Sequence, residues 1–148
     1  MQKSGTVRHG LMRESNRNMV LNLIREREPI SQVDIASVTT LSKTTVTHII
    51  RELSNMNFIK EVGEGESRGG RKPTLLRFNP EAQYVIGVEF FADEMNIAVL
   101  NLAASIKKKV TIPTEPEIGP MGVFKKFASV TESLLEELRI DKKDILGV

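Results

Sequence analysis

The residues best suited to chemistry in this chain lie between Ser42 and Arg51, in the run Ser-Lys-Thr-Thr-Val-Thr-His-Ile-Ile-Arg. At helical spacing Val46, Ile49, Ile50 and Leu53 share one stripe, which leaves Lys43, Thr44, Thr47, His48 and Arg51 on the opposite face. Short hydroxyl groups beside cations make a slim helix face that enters a major groove and donates to base edges. Ser42 and Thr45, in the N-terminal turn, suit phosphate contacts. A second candidate follows in Ser67-Arg-Gly-Gly-Arg-Lys-Pro73, where Arg68, Arg71 and Lys72 stand on a backbone kept narrow by glycine. Such a loop fits the minor groove, where A·T tracts concentrate negative potential. The blander readings are a solvated helix face and a loose basic loop.

Other chemistry is poorly supplied. The chain has no cysteine and two histidines, His9 and His48. Disulfides, thiolate metal sites and cysteine nucleophiles are therefore excluded within it, and no metal, cofactor or catalytic residue is expected. Net charge is +2, but residues 1–80 carry thirteen Lys/Arg against eight Asp/Glu while residues 81–148 carry eight against eleven. A basic first half joined to an acidic second half is the pattern of a polyanion-binding module attached to something else. No stretch approaches eighteen apolar residues, and Met1–Gly10 has no apolar signal region, so a cytoplasmic protein without membrane contact is expected.

The recognition stripe needs elements to hold it. Residues 1–13 are polar and aperiodic and read as a flexible basic arm. Met19, Val20, Leu23 and Ile24 predict a first helix from Ser15, as N-cap, to Arg27, stopped by Pro29. Ser31 and Asp34 open a second helix, with apolar positions at Val33, Ile35, Ala36 and Val38, ending at Thr39-Thr40. Ser42 caps a third, Lys43 to Asn55. The turn between the last two ordinarily uses glycine at a positive-φ position. Thr40 would be strained there, so a differently built turn is expected. Phe58–Val62 and Thr74–Phe78 alternate as strands around the glycine-rich loop, completing the order of a winged helix-turn-helix over residues 14–80.

Residues 81–148 differ in character. Strands are predicted at Tyr84–Phe91, Met95–Leu102 and Lys107–Ile112. An amphipathic helix follows, Gly122–Arg139, with Val123, Phe127, Val130, Leu134, Leu135 and Leu138 inward, and then a strand beginning at Asp144. This reads as the opening β-β-β-α portion of a larger, here truncated, domain.

Leu11–Arg17, Ile30-Ser31, Leu41–Val46, Gly69–Pro73 and Ile86–Glu89, in that order, resemble the N-terminal part of ROK-family transcriptional repressors of the xylose-repressor and N-acetylglucosamine-repressor type. The resemblance implies an α+β chain in which a winged helix-turn-helix precedes the start of an actin-like, ribonuclease-H-like sugar-kinase domain. It implies operator DNA as partner, probed as a palindrome by a homodimer, with a sugar effector only where the rest of that domain is present. Kinases of the family carry a Gly-Gly-Thr phosphate loop, whereas this chain has Glu89-Phe-Phe-Ala-Asp93. Phenylalanine side chains keep backbone amides from closing on a phosphate. The family's catalytic aspartate, sugar contacts and zinc cluster match no position here.

The expected function is that of a DNA-binding repressor of sugar-utilisation genes. The alternatives are a ROK-type sugar kinase with an N-terminal extension and a winged-helix protein-interaction module.

Overall fold

The computed structural model of the protein describes residues 3–66 and 72–148, which fall into two compact units, Met1–Asn79 and Pro80–Val148.

The first unit begins with helix α1, Lys3–Arg27. It starts twelve residues before Ser15, so Ser15 lies inside the helix and residues 3–13 are helical rather than a loose arm. No proline precedes Pro29 to stop the helix, and Leu11 and Met12 in the extension are exposed. Further along, Val20, Leu23 and Ile24 enter the core, while Met19 stays largely outside. Beyond Pro29, strand β1, Ile30–Ser31, pairs with a later strand and was not expected from the sequence, since two residues carry no alternation.

Helix α2, Gln32–Thr39, is capped by Ser31, whose Oγ accepts from the Asp34 amide at 3.2 Å and donates to Asp34 Oδ2 at 2.5 Å. Of its four expected apolar contacts Ile35 is fully buried and Ala36 half-buried; Val33 and Val38 are exposed. Two turns of helix present only a narrow stripe, and Thr39 takes the remaining core position, its hydroxyl donating to Ile35 O at 2.8 Å. The turn that follows is built in the ordinary way after all. Thr40 itself adopts the left-handed conformation, φ 57° and ψ 10°. A β-branched residue is strained there by about 1–2 kcal/mol, and the surrounding structure holds it.

Helix α3, Lys43–Asn55, has the predicted limits. Val46, Ile49 and Leu53 are buried as expected, whereas Ile50 is only half-buried. Its end is a Schellman motif: Asn57, with φ 62°, donates from its amide to Ser54 O and Phe58 to Leu53 O, each at 2.9 Å. Strands β2, Ile59–Glu64, and β3, Thr74–Phe78, form the wing hairpin, with β1 on the far edge of β3. A bulge between Glu61 and Gly63 lengthens β2 past the expected Val62, and Gly63, at φ 133°, supplies the backbone conformation it needs. Glu28 accepts the Phe78 amide proton at 2.6 Å, tying β3 to the end of α1.

In the second unit β4, Tyr84–Phe90, β5, Glu94–Asn101, and β6, Ile106–Pro113, form an antiparallel meander. Helix α4, Gly119–Leu138, then leads to β7, Ile145–Gly147, which pairs parallel to β4 and gives the order β6-β5-β4-β7. Met95, Ile97 and Val99 alternate onto one face with Ile86, and Leu134 and Leu135 of α4 cover them. Phe127, Val130 and Leu138 pack at the margin of this core, and Val123 is half-buried. Glu81 organises the start of the unit by accepting from Asn101 Nδ2 at 2.7 Å, Tyr84 Oη at 2.9 Å and Lys107 Nζ at 3.1 Å. The Asn101 hydrogen bond, then those of Tyr84 and Lys107, hold the Glu81 carboxyl below its ordinary value against the opposing effect of burial.

Two outcomes follow. Replacing Thr40→Gly should raise stability by about 0.5–1 kcal/mol, because relief of left-handed strain exceeds the added chain entropy of glycine. An unchanged or lower unfolding midpoint would contradict the strain. A carboxyl with a depressed folded-state value stabilises above its unfolded value and loses that stabilisation as pH falls. The second unit should therefore weaken as pH drops through the carboxylate range, and Glu81→Gln should flatten that loss in thermal melts.

Candidate nucleic-acid interface

The helix-turn-helix holds α3 by its buried stripe and turns the other face to solvent. Ser42 fixes where that face begins: its Oγ accepts the Thr45 amide proton at 3.1 Å and lies 2.8 Å from Thr45 Oγ1. One hydroxyl proton of this pair is spent between the two oxygens, leaving the other to donate outward. Ser42 is exposed and Thr45 half-buried. Lys43, Thr44, His48 and Arg51 are exposed on the outward face, along successive turns.

Thr47 shares that face but is already engaged. Its hydroxyl donates to Lys43 O at 2.8 Å, and its oxygen accepts from Gln32 Nε2. Gln32, the first residue of α2, therefore braces α3, a contact that sequence spacing does not disclose. His48 is neither a cap nor a core residue: its side chain is 62% exposed, with Nδ1 3.3 Å from Glu52 Oε1.

On the wing side, Lys43 and Lys72 line one cleft together with Gln32, Ile50 and Leu76, so the two cations bracket a common opening. Lys72 also stands 4.0 Å from Glu64, an exposed pair of small energetic weight. Arg68 and Arg71 lie outside the described residues. On the other side of α3, Met12, Arg13 and Asn16 of α1 flank a groove with Thr44, Thr45 and His48. Arg13 reaches Glu52 and pairs with it. The early helical start of α1 brings Met12 and Arg13 to the site.

Elsewhere, the turn between β4 and β5 has no phosphate cradle. The Phe91 amide donates to Glu94 O at 2.8 Å within the hairpin, and the rings of Phe90 and Phe91 are about half exposed. Among the described residues no cluster of His, Asp or Glu could hold a metal ion, and no helix is long and apolar enough to cross a membrane.

Three helices followed by a two-stranded wing define a winged helix-turn-helix, and residues 15–61 match the MarR family. The chain is 32% identical over 98 residues to the xylose repressor of Caldicellulosiruptor bescii, covering 66% of this chain and 25% of that protein. It is 30% identical over 96 residues to the dual regulator NagC of Escherichia coli, covering 65% and 24%. A solved ROK-family transcriptional regulator, described as a homolog of the Escherichia coli MLC protein, superposes with a TM-score of 0.66 at 20% identity, over 90% of this chain and 34% of its own. The winged helix and these likenesses make the chain similar to the N-terminal part of ROK-type transcriptional repressors. It spans about a quarter of the length of the curated relatives it matches.

The geometry separates anchoring from reading. Ser42→Ala should destabilise the first unit by about 1 kcal/mol, the value of a lost N-cap, and lower its melting midpoint. Thr44→Ala, on the exposed face, should leave the midpoint unchanged. Equal melting losses from both would show that Thr44 belongs to the framework.

Proposed function

We propose that this chain is the DNA-reading part of a cytoplasmic, non-enzymatic repressor of sugar-utilisation genes. One observation carries the reading: α3 is seated on three buried residues, Val46, Ile49 and Leu53, and presents Lys43, Thr44, His48 and Arg51 outward beside the wing cation Lys72. That face supplies base-edge donors and phosphate partners in the arrangement a major groove accepts. Ser42 and Thr45 offer one hydroxyl proton to a phosphate, and Thr47 supports the face rather than reading bases. Arg68 and Arg71 extend the wing into the adjoining minor groove, where width rather than base identity is read. A single winged helix spans few base pairs, so two copies on a palindromic operator, with half-sites about one helical turn apart, supply the remaining specificity. The relatives named as xylose repressor and as N-acetylglucosamine repressor support sugar genes as the regulated class.

The kinase alternative is disfavoured by the β4–β5 turn, whose amide is spent within the hairpin between two exposed rings. The protein-interaction alternative predicts weak dependence on salt. DNA binding instead releases condensed counterions, so the logarithm of the affinity should fall linearly with the logarithm of salt, by about 0.9 for each phosphate neutralised. Titrating labelled duplex across a salt series checks this. A flat response, or no binding at low salt, would overturn the reading.

A further inference from the structure

We propose that Glu52 is a positioning residue that fixes the tautomer of His48 and so sets which base edge the recognition helix accepts. This rests on the DNA-reading role of α3 above. Glu52 is the one acidic residue of α3, and it is turned away from the outward face, with only 16% of its side chain exposed. Its Oε1 faces His48 Nδ1 at 3.3 Å, one helical turn back. The same oxygen meets the Arg13 guanidinium, which balances the charge from α1. Its Oε2 is buried and finds no partner among the described residues. The carboxylate thus meets both Arg13 of α1 and the imidazole through Oε1.

A carboxylate is only an acceptor, so the inferred tautomer of neutral His48 carries its proton on Nδ1, toward Oε1. Nε2, on the opposite side of the ring, is then left as a bare acceptor. His48 is exposed on the same face as Thr44 and Arg51, so this acceptor is what the groove meets. Guanine and thymine offer acceptors there. Adenine N6 and cytosine N4 offer amino donors. The fixed tautomer therefore selects an amino-bearing edge and rejects the other two, with a ring that without Glu52 could satisfy either class. Glu52 acts through His48 and touches no base.

The test has two readouts, taken at pH 8. In the free 148-residue chain, nitrogen-15 NMR of His48 should show a proton on Nδ1 and none on Nε2. In Glu52→Gln, whose amide can either accept from or donate to Nδ1, the two tautomers should mix. Competition binding with duplexes varied at each base pair should then locate the position whose preference His48→Ala abolishes. There the wild-type chain should favour adenine or cytosine by roughly fivefold to tenfold, and Glu52→Gln should shrink that to about twofold while other positions keep their preferences. A proton on Nε2 in the free chain would overturn the proposal whatever the DNA result, as would a preference for guanine or an undiminished preference in Glu52→Gln. A uniform loss at every position would reduce Glu52 to a structural clamp. A chain with the expected tautomer that distinguishes no sequences would end the DNA-reading role, and the base selection with it.

Discussion

The burial of one face of α3 is the constraint on which the remaining features of the first unit depend. Val46, Ile49 and Leu53 are buried, as are Val20 and Ile24 of α1, Ile35 of α2 and Leu76 of the wing, and α3 packs against α1 and α2. Truncating one such leucine to alanine costs about 2–5 kcal/mol, a large share of the 5–15 kcal/mol by which a whole domain is stable. With the stripe seated, the helix cannot rotate, and the direction of Thr44, His48 and Arg51 follows from the 3.6-residue period alone. The strained Thr40 and the Ser42 cap then decide where along its axis the helix starts. Packing energy sustains the strain in that turn, and the turn in its use places the N-terminal hydroxyls.

Charge works on top of this frame. The excess of Lys and Arg in residues 1–80 suits long-range attraction of a polyanion, with no demand on geometry. At short range, the acidic group of α3 would repel phosphates if it pointed outward. It points inward instead and is matched by Arg13. The outward face is left with cations, hydroxyls and an imidazole. On the proposed DNA-reading role, attraction and reading fall to different residues: cations at the edges of the face would draw the phosphates, and the central side chains would meet the bases.

The features legible in the sequence were those set by local periodicity and by caps. The limits of α3, its stripe at Val46, Ile49 and Leu53, the wing strands and the β4–β6 meander all announce themselves within ten or so residues. Ile50 reads as buried because its spacing is right, yet it borders the open cleft beside the wing. The rest depends on pairings between distant segments. Arg13 and Glu52 are 39 residues apart, and β1 exists only because β3 returns beside it. The N-terminal part of α1 carries no apolar stripe, so neither period nor cap predicted it. Thr40 looked unsuited to its turn because local preference was the only term visible; the tertiary core outweighs it. Likewise, the contact of Thr47 with Gln32 distinguishes it from Thr44, which spacing alone made equivalent.

The central claim, that α3 presents a DNA-reading face held by a buried stripe, is tested most directly by mapping backbone amide shifts while duplex DNA is titrated into the isotope-labelled chain. The account requires the largest changes at residues 42–51 and in the loop between β2 and β3, with smaller ones at Gln32 and Arg13. Residues of the second unit, such as those of β5 and α4, should remain unmoved. Changes centred on the second unit, or spread evenly over both with α3 silent, would contradict it.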